Sequence, residues 1–127
     1  MNTKPILIIA GEPFSIFSEI LFKTFQKETF KKPIVVIASI NLLKKQLKYL
    51  NYKISFNLVN ENFKLQDLKK NKINVLNVNF KFKKTFDKIS NSSNLYIKNC
   101  FDLALKLMKK KFICWFNKWT YIKKTFS

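Results

Sequence analysis

Two short runs, Pro5 to Ala10 (PILIIA) and Pro33 to Ala38 (PIVVIA), constrain this chain more than any other feature. Each is continuously apolar and rich in isoleucine and valine, with no polar position to turn towards water. A strand of that kind must be covered on both faces, and sheets covered on both faces are largely parallel. Helical spacing follows each run. After the turn Gly11-Glu12-Pro13, the residues Ile16, Phe17, Ile20, Leu21 and Phe25 recur at helical intervals, with Glu19 and Lys23 on the polar side. Ser15 is placed to cap that helix. After the second run, Ser39 or Asn41 is placed to cap a helix carrying Leu42, Leu43, Leu47 and Leu50.

The rhythm continues along the chain. Tyr52 to Val59 reads as a third strand, Asn60 to Lys72 as a polar stretch, and Ile73 to Val78 as a fourth strand. Asn79 to Asn91, rich in Lys and Asn, is a connection. Ser92 to Lys110 is a long helix presenting Leu95, Cys100, Phe101, Leu103, Ala104, Leu107 and Met108. Phe112 to Phe116 (FICWF) is a short apolar strand, and Lys118 to Lys124 one more helix. Buried strands alternating with amphipathic helices require crossover connections. The expected fold class is therefore α/β, a mostly parallel sheet with helices on both faces. With 127 residues, 47% of them hydrophobic, the chain makes one domain over residues 1–127. No stretch approaches a membrane span, and Pro5 to Ala10 is too short for a signal-peptide core, so a cytoplasmic protein with no membrane partner is expected.

Composition excludes several chemistries. The 25 basic residues are all Lys, and the chain has neither Arg nor His. No imidazole is present to ligate a metal or act as a base, and no guanidinium to grip a phosphate with two parallel hydrogen bonds. Cys100 and Cys114 lie too far apart for a zinc knuckle and read as small buried hydrophobes. A single glycine excludes the glycine-rich dinucleotide fingerprint and the phosphate-binding P-loop. A net charge of +18 makes a basic nucleic-acid-binding module one alternative reading. Against it, the Lys residues occur in every segment, as compositional bias towards Lys, Asn, Ile and Phe would produce. Weak, non-specific polyanion binding at low salt follows either way. In NFKFKKTF, Asn79 to Phe86, rings and Lys alternate; an edge or connecting segment with Phe80 and Phe82 turned inward outweighs a base-stacking surface.

The most specific local feature is Ala10 to Ile20 (AGEPFSIFSEI), a strand-turn-helix placed where ligands of open α/β sheets bind. A helix start there also offers backbone N–H groups to an anion. The segment resembles the start of the 4-hydroxythreonine-4-phosphate dehydrogenase family, G-[DE]-P-x-G-I-G-P-E-[IV]. Gly11, Glu12, Pro13, Ile16, Glu19 and Ile20 match, whereas Ser15 and Phe17 replace glycines and Ser18 a proline. PIVVIASINLLKKQLKYLNYKISF resembles the family's second strand and helix, and NVLNV its strand before a long connection. DKISNSSNLYIKNCFDLALKLM resembles the family's helix entry, with Lys88, Asn94 and Tyr96 in register. ICWFNKWTYIKK is similar to T-[AG]-P-[IV]-N-K and a short helix, with Asn117 and Lys118 matching and Trp115 in place of proline.

The resemblance implies an isocitrate/isopropylmalate dehydrogenase-like fold. It also implies oxidation of a phosphorylated small-molecule substrate by NAD or NADP, with decarboxylation, on the path to vitamin B6. A divalent metal is expected for the family, as is a homodimer. Gly11, Glu12, Pro13, Asn117 and Lys118 are the candidates to line the cofactor and substrate cleft. No catalytic or metal-binding residue is assigned, because the family's histidines lie beyond the matching portion. The chain thus reads as the N-terminal portion of such an enzyme, truncated and inactive by itself; a non-functional remnant is the other alternative. One solution property follows from charge and patterning. The protein is expected to stay dispersed in dilute buffer and to aggregate as salt shortens the reach of its charge to roughly 8 Å, with FICWF in the contact. Trp115→Lys should delay the rise in light scattering during a salt titration; a monomer unchanged up to high salt contradicts this.

Overall fold

The computed structural model describes residues 5–110. Strand β1 (Ile6–Ile9) leads into helix α1 (Phe17–Lys27), and β2 (Ile34–Ala38) into α2 (Ile40–Tyr49). Strand β3 (Phe56–Val59) reaches β4 (Ile73–Asn77) through a polar connection that holds a 3-10 turn at Leu65–Asp67. A second 3-10 turn, Asn91–Ser93, opens the long helix α3 (Asn94–Lys110). The four strands form one sheet in the order β1-β2-β4-β3, and each neighbouring pair is parallel. Ile6 stands beside Ile34, Val35 beside Asn74, and Phe56 beside Ile73. Among the described residues the architecture is therefore α/β with an all-parallel sheet, and no helix is long and apolar enough to cross a membrane.

Both faces of the sheet are covered. Alternation along β2 sends Ile34, Val36 and Ala38 to one side, where they meet Leu21 and Phe22 of α1 and Ile40 and Leu43 of α2. Val35 and Ile37 go to the other side and join Leu7 and Leu76 against Tyr96, Cys100, Ala104, Leu107 and Met108 of α3. Those α3 positions recur every three or four residues, as one helical stripe must. The connections obey one constant hand. Helices α1 and α2 carry the chain across the sheet on one face. The β3–β4 connection, whose Phe63 and Leu68 join the α3 side, carries it back on the other. Reversing the direction of travel without changing hand requires that change of face.

Element ends differ from the sequence reading in instructive places. The third strand starts at Phe56 rather than Tyr52 because the preceding residues close α2. Asn51 adopts a left-handed φ of 62°, the N–H of Tyr52 donates to the Leu47 carbonyl at 3.2 Å, and that of Asn51 donates to Lys48 at 3.1 Å. This pairing satisfies carbonyls that the helix end would otherwise leave open. Ser39, not Asn41, caps α2, its hydroxyl accepting from the N–H of Leu42 at 3.3 Å. Phe80 and Phe82 are half-buried while Lys81 and Lys83 are exposed, the inward arrangement expected for that segment. The strand expected at 112–116 and the helix expected at 118–124 lie outside the described residues.

Two buried polar side chains contrast sharply. Asn74, fully buried in β4, uses its whole hydrogen-bonding capacity. Its carbonyl oxygen accepts from Asn57 at 2.8 Å and from the N–H of Lys69 at 2.9 Å. Its amide donates to the carbonyls of Ile34 at 2.8 Å and Lys69 at 2.9 Å. One side chain thus ties β2, β3 and the β3–β4 connection together. The Ser18 hydroxyl, buried in α1, has no hydrogen-bond partner among the described residues. Removing a satisfied buried amide strands its partners, whereas removing an unsatisfied hydroxyl removes a desolvation cost. In urea unfolding at neutral pH, Asn74→Leu is expected to lose about 3 kcal/mol and Ser18→Ala to gain about 1 kcal/mol. A loss below about 0.5 kcal/mol for Asn74→Leu would contradict the anchoring role.

Candidate functional site

The carboxyl ends of β1, β2 and β4 gather most of the polar side chains that the fold brings together over long sequence distances. The ladder runs one residue past β1, where the Ala10 N–H donates to the Ile37 carbonyl at 3.2 Å. Gly11 then turns the chain at φ 68°, in the left-handed region where a side chain is strained. A Cβ at Gly11 would meet none of the described residues within 4 Å, so among them conformation rather than close packing selects glycine, and they leave the space above it open. Glu12 follows, its carboxylate accepting from the N–H of Phe14 at 3.4 Å. The Ser93 hydroxyl, in the turn that opens α3, has the Ser90 carbonyl at 3.0 Å as its nearest acceptor and also lies within 3.3 and 3.4 Å of the two Glu12 oxygens. Pro13 is buried, and its carbonyl accepts from Gln46 of α2 at 3.0 Å. The Gln46 amide also donates to Thr85 at 3.1 Å, tying the first turn, α2 and the long connection into one unit.

The N-terminus of α2 is enclosed by side chains. The Ser39 N–H donates to the Tyr96 hydroxyl at 2.8 Å, and the Ile40 N–H to the Asn77 carbonyl oxygen at 2.9 Å. Asn77 in turn donates to Asn79 at 3.1 Å. The Phe80 ring lies on Tyr96 with centroids 4.7 Å apart, screening that hydroxyl from one side. At α1 the Ser15 hydroxyl accepts from the N–H of Phe17 at 3.2 Å and donates to the Glu12 carbonyl at 2.9 Å. The N–H groups of Phe14, Ser15 and Phe17 all have acceptors within this turn. At these three positions the turn serves itself.

Of the cleft candidates, Gly11, Glu12 and Pro13 stand at the carboxyl edge of β1, as the strand-turn-helix pattern requires. Asn117 and Lys118 lie outside the described residues. Among the residues in register with the helix-entry motif, Tyr96 points into this edge, whereas Lys88 and Asn94 are exposed. Sequence reasoning missed Asn77 and Ser93 as members of the site. Ser39 carried a signal as a cap, and Tyr96 carried one too, since it opens the stripe that continues through Cys100 and Ala104. A separate surface depression of about 430 Å³ lies beside β3, lined by Asn57, Phe63, Gln66 and Asp67 among others, and shares none of the Gly11–Pro13 turn.

The chemistry of the edge is that of hydroxyls, amides and one carboxylate, suited to hydrogen-bonding a polar ligand. Burial pushes the Tyr96 phenol well above its ordinary value, with nearby Cys100 adding to the effect. Burial likewise pushes the Cys100 thiol up to about 11. Neither group ionises near neutrality, so neither supplies a base or a nucleophile there. Comparison with protein-family models and with curated proteins finds no match to the chain.

Both raised groups are neutral in the fold and ionise more readily once unfolded. The Cys100 contribution to stability is fully present below the thiol's ordinary value of 9.0 and is lost as pH rises towards about 11, whereas that of Tyr96 begins to fall only above the phenol's ordinary value of 10.0 and persists to higher pH. Urea unfolding across that range should show stability falling, and Cys100→Ala should show a shallower fall. Parallel profiles for the two proteins would contradict the burial of an ionisable thiol.

Proposed function

We propose that this chain supplies one wall of a 4-hydroxythreonine-4-phosphate dehydrogenase-like active cleft, in a fold of the isocitrate/isopropylmalate dehydrogenase kind. The observation that carries the reading is the contact of Ser93 with Glu12, across 81 residues of sequence. It joins the two best-matching segments, the Gly11–Pro13 turn and the start of α3, at the carboxyl ends of parallel strands. Ligands of open α/β sheets bind in that position.

On this reading the chain's part is to bind and orient a phosphorylated hydroxy amino acid. Glu12, held by Ser93, accepts a hydrogen bond from a substrate hydroxyl or ammonium group. Asn77, exposed at the end of β4, contributes a further polar contact from a neighbouring strand. NAD or NADP, when bound, takes the hydride from the substrate alcohol. Open space over Gly11 accommodates the approach of a ligand to the backbone. The donor set does not fit a divalent cation. Glu12 is the carboxylate facing this edge, the sequence has no His, and no three His, Cys, Asp or Glu residues lie together among the described residues. The cation of the family is accordingly assigned to no residue of this chain.

Two outcomes are expected of the purified 127-residue protein. It should not reduce NAD or NADP with 4-phosphohydroxythreonine, with or without added divalent metal, because the groups that would hold metal and phosphate are missing. Millimolar substrate or cofactor should nevertheless shift the amide resonances of Gly11, Glu12 and Asn77. Shifts confined to other regions, or none, contradict the binding assignment, and metal-dependent cofactor reduction contradicts the expected inactivity.

A further inference from the structure

Charge is uneven in the fold although it is even along the sequence. The chain has seven carboxylate residues, and the exposed surface of α1, the β3–β4 connection and α3 each carry at least one. Helix α2 carries none, and it exposes Lys44, Lys45 and Lys48. The connection after β4 adds exposed Lys81, Lys83, Lys84 and Lys88 against a single acid, Asp87. Two contacts bring these segments side by side. Gln46 of α2 donates to the Thr85 carbonyl at 3.1 Å, and the Tyr49 ring meets Phe86 edge-on with centroids 5.3 Å apart.

Tyr49 is the unusual member of this face. It is 72% exposed at the end of α2, one turn beyond Lys45 and next to Lys48. Its edge contact with half-buried Phe86 fixes the ring and leaves much of its surface open. Lys84 and Lys88 flank Phe86 in the chain. An exposed, oriented aromatic ring with lysines on its own helix and lysines two residues to either side of its ring partner is an arrangement that can take an unpaired base on the ring and phosphates on the cations. Charge complementarity therefore selects the occupant.

We propose that the face formed by α2 and residues 84–88 binds single-stranded nucleic acid, with a base stacked on Tyr49 and phosphates neutralised by Lys45, Lys48, Lys84 and Lys88. Stacking distinguishes this site from a diffuse attraction of the whole +18 charge for polyanions. It also distinguishes nucleic acid from an anionic membrane, which has no base to stack. The site uses none of the side chains assigned to the Glu12–Ser93 edge and stands whether or not that edge binds a dehydrogenase substrate.

The test is fluorescence anisotropy of a labelled oligouridine of about twelve nucleotides, titrated with the full chain at several salt concentrations. Neutralising four phosphates predicts a slope of log affinity against log salt of about −3. Changing Lys45, Lys48, Lys84 and Lys88 together to Gln should weaken binding about a hundredfold and flatten the slope. Changing Lys23, Lys27, Lys70 and Lys109 to Gln removes the same charge elsewhere and should cost less than about threefold. Tyr49→Ala should weaken binding about tenfold, and Tyr49→Phe should bind as the unmodified protein does. All the substituted side chains are exposed, and circular dichroism confirms that each variant is folded. Equal losses in the two four-lysine variants, or undiminished binding by Tyr49→Ala, would overturn the proposal. So would phosphatidylserine vesicles that bind as tightly as the oligonucleotide and show the same dependence on Tyr49.

Discussion

From Ile34 to Ala38 the second strand is withdrawn from water on both faces and paired on both edges, and the rest of the structure depends on that burial. Its backbone groups have no solvent to turn to, so parallel neighbours on each side must satisfy them. Its side chains alternate between two cores, so each face must be covered by a separate layer. Helices α1 and α2 supply one cover; α3 and the β3–β4 connection supply the other. Parallel pairing in turn forces each connection to cross from one end of the sheet to the other. Every strand therefore ends at the same edge, and the turns that leave the strands collect there.

Burial of the centre leaves register and edge geometry to a few polar groups. Asn74 does this from within the sheet, where its four hydrogen bonds join β2, β3 and the incoming connection. At the carboxyl edge, Gln46 and Tyr96 link segments that the hydrophobic cores alone would not align. Each is a neutral group with named partners, which is the form in which polarity is tolerated inside a domain. Ser18 is the exception. Among the described residues its hydroxyl has no hydrogen-bond partner, which makes it a local cost.

Much of this was legible in the sequence, for identifiable reasons. PILIIA and PIVVIA read as doubly covered strands because they contain no polar position, and α3 was visible in its apolar stripe. Gly11 was legible because the chain's only glycine follows a strand. The start of β3 was not, because Tyr52 and Ile54 are apolar and pack against the core without pairing; only the left-handed Asn51 reveals that α2 ends there. The polar cluster was partly hidden for a different reason. Ser93, Asn77 and Glu12 carry no periodic signal, and their association depends on the order of strands in the sheet. The concentration of lysine beside Tyr49 was masked in the same way, since a linear reading finds Lys everywhere.

The central claim is that distant segments are locked together at the carboxyl edge, and the bond from the Ser39 amide to the Tyr96 hydroxyl spans 57 residues to do so. Amide hydrogen exchange reads that bond directly. In the unmodified protein the Ser39 amide should be protected to the same degree as Val36 in the centre of β2. In Tyr96→Phe the acceptor is gone, and Ser39 should exchange about tenfold or more faster while Val36 keeps most of its protection. A Ser39 amide that exchanges freely in the unmodified protein, or that is indifferent to Tyr96→Phe, would contradict the assembly of this edge.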